Sequence, residues 1–320
     1  MVFPAMSITK LIRLFGTVAA LLALAWFVNQ VVRSAADFPS FDFRELMYII
    51  SFTFIYAAPA LLAGIVWCYL MRVVGESQAG PLEAMSINCL SQAGKYLPGN
   101  VAHYFGRILL ARQAGWGTTN TLYTIFIETL WSVAVAALLA LVAVMYAQEQ
   151  LFLGVDRVPR WQVLAVLASF AILAPALGHR VFGLAADIWA RHKGISASSL
   201  QAPPIRAFWI VVSVYIFSYL VMGWVLSLIA SQVFGASPGP VFLFAGIYAV
   251  AWVTGFVTPG APAGLGIREL ILVAALTPLY DANIAIGIAA ALRVVTILGD
   301  CLVVTIGLGL KQFIHKQAGE

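Results

Sequence analysis

The chain has 320 residues, 62% of them hydrophobic and only 10% charged, with a net charge of +5. Soluble domains carry about 25% charged residues, so this composition, with a mean hydropathy of +0.96, excludes an ordinary water-soluble globule. The apolar runs are continuous rather than alternating, which excludes a β-barrel, and the basic balance fits topology-setting Lys and Arg on loops rather than nucleic-acid binding.

The expected fold class is an all-α polytopic integral membrane protein, a single transmembrane domain over residues 1–320. The first apolar run, about 14–32, follows Lys10 and Arg13. It is nearer a spanning length than a signal-peptide core, so residues 1–45 read as a retained signal-anchor helix and loop. Further runs of spanning length cover 46–71, 119–147, 161–179, 207–234 and 283–310. Between them, 80–112 and 240–280 are apolar but interrupted by Pro and Gly.

Counting basic residues sets the orientation. With the N-terminus inside, Lys10, Arg13, Arg72, Arg112, Arg180, Arg191, Lys193, Arg206, Lys311 and Lys316 are cytoplasmic, against Arg33, Arg44, Arg157 and Arg160 outside. That bias places both termini in the cytoplasm. Parity then makes each broken segment a helical hairpin, re-entrant or doubly crossing, the first from inside and the second from outside. Residues 46–147 and 207–320 form an inverted repeat, joined through 148–206 by one span and a basic loop. That loop holds Arg180, Arg191, Lys193 and the Pro203-Pro204 pair, with an interfacial helix expected near 180–193.

The hairpins share a motif. GKYLPGNVAHYFGR (94–107) returns loosely as TPGAPAGLGIR (258–268), each with a Pro-Gly pair, a later Gly and an Arg. Pro98 and Gly99 should stop a helix at Leu97 and let it resume near Asn100, with free N–H groups facing the break. Asn100, His103 and Arg107 then share one helical face, with Lys95 just ahead. Pro259 and Gly260 break the second hairpin, Gly266 permits close backbone approach, and Arg268 and Glu269 open the next helix.

Seven charges fall at membrane depth: Lys95, Arg107, Glu128, Arg268, Glu269, Arg293 and Asp300. Each is costly there unless it faces protein, water or ligand. Lys95 and Arg107 have the alternative of snorkelling to the surface. Arg268 and Glu269 point about 100° apart and do not neutralise one another; Glu128 and Asp300 are their available partners. Arg293 and Asp300 stand about 10 Å apart along one helix and cannot pair by simple contact, so each has a partner on another element or lines a wet cavity. These residues, with Pro98, Gly99, Asn100, His103, Pro259, Gly260 and Gly266, are the candidate substrate-binding set. Cys68, Cys89 and Cys301, and His103, His179, His192 and His315, form no metal or disulfide pattern, so no cofactor is expected. Trp26, Tyr48, Trp67, Tyr69, Trp116, Tyr146, Trp161 and Trp209 read as interfacial anchors, and Met222-Gly223 as ordinary span packing.

On GKYLPGNVAHYFGR, the Glu128-bearing span and TPGAPAGLGIREL (258–270), the chain resembles the flippase-like family typified by the transmembrane domain of lysylphosphatidylglycerol synthase. The resemblance covers nearly the whole chain and implies a flippase-like fold; in multidomain members it implies movement of an aminoacylated phospholipid between leaflets. It points to Lys95, Pro98, Gly99, His103, Arg107, Pro259, Gly260, Gly266, Arg268 and Glu269. No aminoacyltransferase domain follows residue 320, so synthesis of a lysyl-lipid is not expected.

Three functional readings compete. In the first, a passive or ion-coupled translocator moves an anionic or prenyl-linked lipid, with Lys95, Arg107 and Arg268 on its head group. In the second, a non-transporting scaffold assists a glycosyltransferase or lipid-modifying enzyme, and the charges are structural. The third, a membrane transferase using His103 with Glu128 or Glu269, has no recognisable catalytic constellation behind it. The chain is therefore expected not to be an enzyme.

Overall fold

A computed structural model describes residues 8–35, 42–97, 101–150 and 203–319, with scattered positions between 161 and 188. Most of the expected span 161–179 and of the interfacial helix expected near 180–193, and the residues Pro98, Gly99 and Asn100, lie outside the described residues. The described chain is helical: α1 (Ile8–Ser34), α2 (Phe43–Val73), α3 (Pro81–Ser91), α4 (Ala102–Gln113), α5 (Thr118–Gln150), α6 (Ile205–Leu228), α7 (Val241–Val257), α8 (Ile267–Leu276) and α9 (Ala282–Gly319). Five stretches are long and apolar enough to cross a bilayer: Gly16–Ser34, Phe43–Val73, Thr118–Met145, Ile205–Val233 and Ala282–Gln317. They match five of the expected spans within a few residues.

Both broken segments are re-entrant hairpins. Helices α3, α4 and α8 have 11, 12 and 10 residues, about 15–18 Å each, far short of the roughly 30 Å of hydrocarbon. Hydrogen bonds close each mouth. In the first, Glu76 before α3 accepts from the Gly117 N–H (2.8 Å) and Asn120 (2.9 Å) after α4. In the second, Tyr280 after α8 donates to the Ser237 carbonyl before α7 (2.9 Å). The closed mouths put both ends of each hairpin on one side, and second arms of 12 and 10 residues are too short to have crossed.

The mouths lie at opposite ends of α9. That helix starts beside α1, where Ser34 donates to Asn283 (2.9 Å). Near its other end Lys311 and His315 share a cavity of about 210 Å³ with Glu83 and Gln113 of the first hairpin. From 282 to 311 the helix rises about 44 Å, roughly a bilayer with its head groups. The first arm of each hairpin packs on the span before it and on the last span of the other half: α3 on α2 and α9, α7 on α6 and α5. The 3₁₀ turns after α3 (Gln92–Tyr96) and after α7 (Pro262–Gly264) touch, so the tips meet midway.

Local sequence explains these ends. Pro81 starts α3 where a free N–H would be unsatisfied anyway, and α3 tightens into its 3₁₀ turn at Gln92, earlier than the expected stop at Leu97. Gly266, at φ +81°, takes a backbone conformation few side chains allow, and the Glu269 carboxylate reaches back to its N–H (2.7 Å). Gly223 sits where α6 crosses α7 against Val241 and Ala245, as span packing requires. Trp161 and Trp209 are exposed as anchors should be. Trp67 and Trp116 are corrected: both are buried, their rings 5.3 Å apart, because the first hairpin folds back over the end of α2.

In a cysteine-free background, Ser77→Cys and Ser237→Cys are expected to react with a membrane-impermeant maleimide from opposite faces of sealed vesicles. Labelling from one face would overturn the inverted arrangement.

Candidate functional site

The midplane is organised by three ion pairs. Arg107, only 4% exposed, directs one guanidinium nitrogen to Glu128 on α5 and another to the Asn88 side-chain oxygen on α3. Trp67 lies under its guanidinium carbon, 4.9 Å from the ring centroid. Tyr215 of α6 donates to the second Glu128 oxygen (2.7 Å). Arg107 is therefore buried and paired, not snorkelling; carboxylate, amide and aromatic face compensate its charge, while its Nε is buried without a partner.

The second pair has the same layout with the signs exchanged. Glu269 on α8 meets Arg293 on α9 (3.3 Å), and its other oxygen caps Gly266. In each half the second hairpin arm is thus pinned to the span that follows it: by Arg107–Glu128 in one, by Glu269–Arg293 in the other.

The third pair joins the halves. Asp300 of α9 accepts from Lys95 (3.2 Å) and Tyr56 (2.9 Å) through one oxygen and from Tyr96 (2.9 Å) through the other. All three donors come from the first half, on α2 and the first tip. Lys95 keeps 28% of its side chain exposed, so this pair is the wettest of the three.

Glu128 and Asp300 thus serve Arg107 and Lys95, correcting the expectation that they were available to Arg268 and Glu269; Arg293 and Asp300 do find partners on other elements. Arg268 is half-buried, and among the described residues no carboxylate pairs with it. His103 stacks on Tyr104 (3.8 Å) with its Nδ1 buried and unpartnered. Pro259 and Gly260 stand apart from the ion pairs, and Gly266 joins them only through its N–H, which Glu269 caps. Pro259 and Gly266 form a bed for α1, where Gly16 meets the Pro259 carbonyl and Gly266 meets Ala20 and Leu24.

Sequence reading missed Asn88, Trp67, Tyr56, Tyr96 and Tyr215. A signal existed for two of them. Tyr56 and Tyr215 sit well inside spans, where a phenol needs a hydrogen-bond partner, rather than at the ends where Tyr anchors.

Glu128→Ala leaves the Arg107 charge buried and unpaired, and is expected to cost about 3–5 kcal/mol in thermal unfolding of detergent-solubilised protein. Arg107→Met with Glu128→Leu removes both charges and is expected to recover most of that loss. Equal destabilisation by the single and double changes would show that the pair is not what matters there.

The family described as the lysylphosphatidylglycerol synthase TM region matches residues 13–303. No curated protein sequence matches the chain. A match over most of the length, on a helical membrane fold with apolar spans, establishes kinship without naming a substrate. The chain is a member of the lysylphosphatidylglycerol synthase transmembrane-region family.

Proposed function

We propose that this protein is a lipid translocator that carries an anionic phospholipid or lipid-linked head group between leaflets of a bacterial inner membrane. It acts passively or coupled to an ion, with both termini in the cytoplasm and no catalytic step of its own. The observation that carries the reading is the meeting of two re-entrant tips at mid-depth, entered from opposite sides and ringed by ion pairs. Hairpins and broken helices at the midplane of an inverted repeat are where transporters place their substrate.

The division of the ion pairs supports a rocking movement. Arg107–Glu128 and Glu269–Arg293 each hold a hairpin to its own half, so each half can move as one body. Lys95–Asp300 spans the halves and is the ion pair that movement must break. It is also the most exposed of the three, hence the least costly to exchange for water. In this conformation the pairs are closed, which suits an occluded state. Closure also favours the second reading, a scaffold for a lipid-modifying enzyme or glycosyltransferase, in which the halves never part.

A lock separates the two. Tyr104 on α4 meets Phe256 on α7 edge-on at 6.5 Å. In cysteine-free protein reconstituted in liposomes, Tyr104→Cys with Phe256→Cys can be bridged by a reducible bis-methanethiosulfonate. Leaflet exchange of fluorescent anionic lipid, read by dithionite quenching, is expected to fall at least fivefold on bridging and return on reduction. Exchange at the protein-free rate before bridging, for both phospholipid and prenyl-linked probes, would sink the translocator and leave the scaffold.

A further inference from the structure

A cavity of about 140 Å³ lies beside the ion pairs, between α2, α6 and α7, and five aromatic rings wall it: Tyr56, Tyr215, Tyr219, Tyr248 and Trp252. It has room for several waters or one small head group. Pro59, inside α2, also lines it and has no N–H to give. The hydroxyl donors are spent elsewhere. Tyr56 donates to Asp300 (2.9 Å), Tyr215 to Glu128 (2.7 Å), Tyr219 to the Ser132 carbonyl (3.4 Å) and Ser218 to the Val214 carbonyl (2.7 Å). Arg268, whose stem fills a slot between Gly255 and Gly264, is not part of the wall, and neither is Arg293. The cavity therefore offers an anion few donors and no countercharge.

What it does offer is aromatic surface. Tyr219 stands 6.0 Å from Trp252 at 77° and 6.3 Å from Tyr248 at 57°. Rings set at such angles make the corners of a box rather than a stack, and ring faces attract cations. Carboxylates stand behind two of the walls, because Tyr56 and Tyr215 pass their protons toward Asp300 and Glu128. A phenol that donates to an anion is polarised and becomes the more electron-rich for it. Both carboxylates are engaged by Lys95 and Arg107, and among the described residues no ionised side chain lines the cavity. A primary ammonium would give up its hydration there with no charged acceptor in reach. A quaternary ammonium has no N–H to satisfy, so ring faces alone can hold it.

We infer that the box of Tyr56, Tyr215, Tyr219, Tyr248 and Trp252 is a binding site for a quaternary ammonium group of the choline type, carried on a lipid or free in solution. This site lies beside the ion pairs and goes beyond the translocator reading, which assigns the cavity nothing. It holds whether or not the protein moves lipid. Through Tyr56 the box touches Asp300, the acceptor that joins the two halves, so an occupant rests against the contact between them.

Binding tests it without reference to transport. Purified full-length protein in a maltoside detergent is titrated with dihexanoyl phosphatidylcholine, the matching phosphatidylethanolamine and phosphatidylglycerol, and choline chloride, followed by native mass spectrometry and thermal shift. The phosphatidylcholine is expected to bind about tenfold more tightly than the other two lipids, the worth of one desolvated ring contact. Displacement of that lipid by choline upholds the site and marks the ammonium as the group recognised. Choline binding where the lipid does not upholds it with a soluble ligand. Tyr248→Phe keeps the ring and is expected to keep the affinity, whereas Tyr248→Leu is expected to lower it about tenfold. Should Tyr248→Leu fail to fold, Trp252→Leu against Trp252→Phe makes the same comparison. Phosphatidylethanolamine or phosphatidylglycerol binding as tightly as phosphatidylcholine, wild-type affinity in the leucine variants, or no binding of either lipid-borne or free choline each overturns the assignment.

Discussion

An ionised side chain placed in hydrocarbon must bring its counterion with it, and the architecture follows from that constraint. Short hairpin arms cannot cross the bilayer, so something other than length must fix their depth. In each half an ion pair does so, linking the second arm to the following span. Breaking a buried pair by removing one partner is far more costly than never having built it, so such a pair sets position more firmly than its net contribution to stability suggests. Arg107 and Glu269 both lie on the second hairpin arm of their half yet carry opposite signs. What the halves share is the presence of a pair at that place rather than the identity of its members.

The two-fold relation also explains why the halves do not fold as separate bundles. Helix α3 lies between a span of its own half and α9 of the other, and α7 lies between α6 and α5. Each half therefore completes the burial of the other's hairpin. Ser86 illustrates this at close range, donating from α3 to the Gly307 carbonyl of α9 (2.9 Å).

Much of this was readable in the chain. Apolar length located the spans, basic residues with parity required hairpins, and the cost of deep charges singled out all seven ionised residues. The seven-residue spacing of Arg293 and Asp300 correctly sent each to a partner on another element. The partners themselves were not readable, because one-dimensional spacing fixes depth and face within a helix but not which neighbour that face meets. Asn88 carries no sign of a site role in the chain, and acquires one when the hairpin folds back and lays Arg107 between it and Trp67. Trp67 and Trp116 read as surface anchors for the same reason: a re-entrant segment buries what would otherwise be a span end. The echo of Pro-Gly motifs found the second break, yet Pro259 and Gly266 there serve as a seat for α1.

The exchange of signs between the halves has an electrical consequence. Moving one elementary charge through a membrane potential is worth about 2.3 kcal/mol per 100 mV. Arg107 with Glu128, and Glu269 with Arg293, each sum to zero, so a body carrying such a pair transfers no net charge when the pair is displaced as a unit along the membrane normal. Arg268 has no carboxylate companion among the described residues, so its charge stays coupled to the voltage. A displacement of Arg268 along the membrane normal is therefore felt by an energised membrane, whereas the same displacement of either closed pair is not.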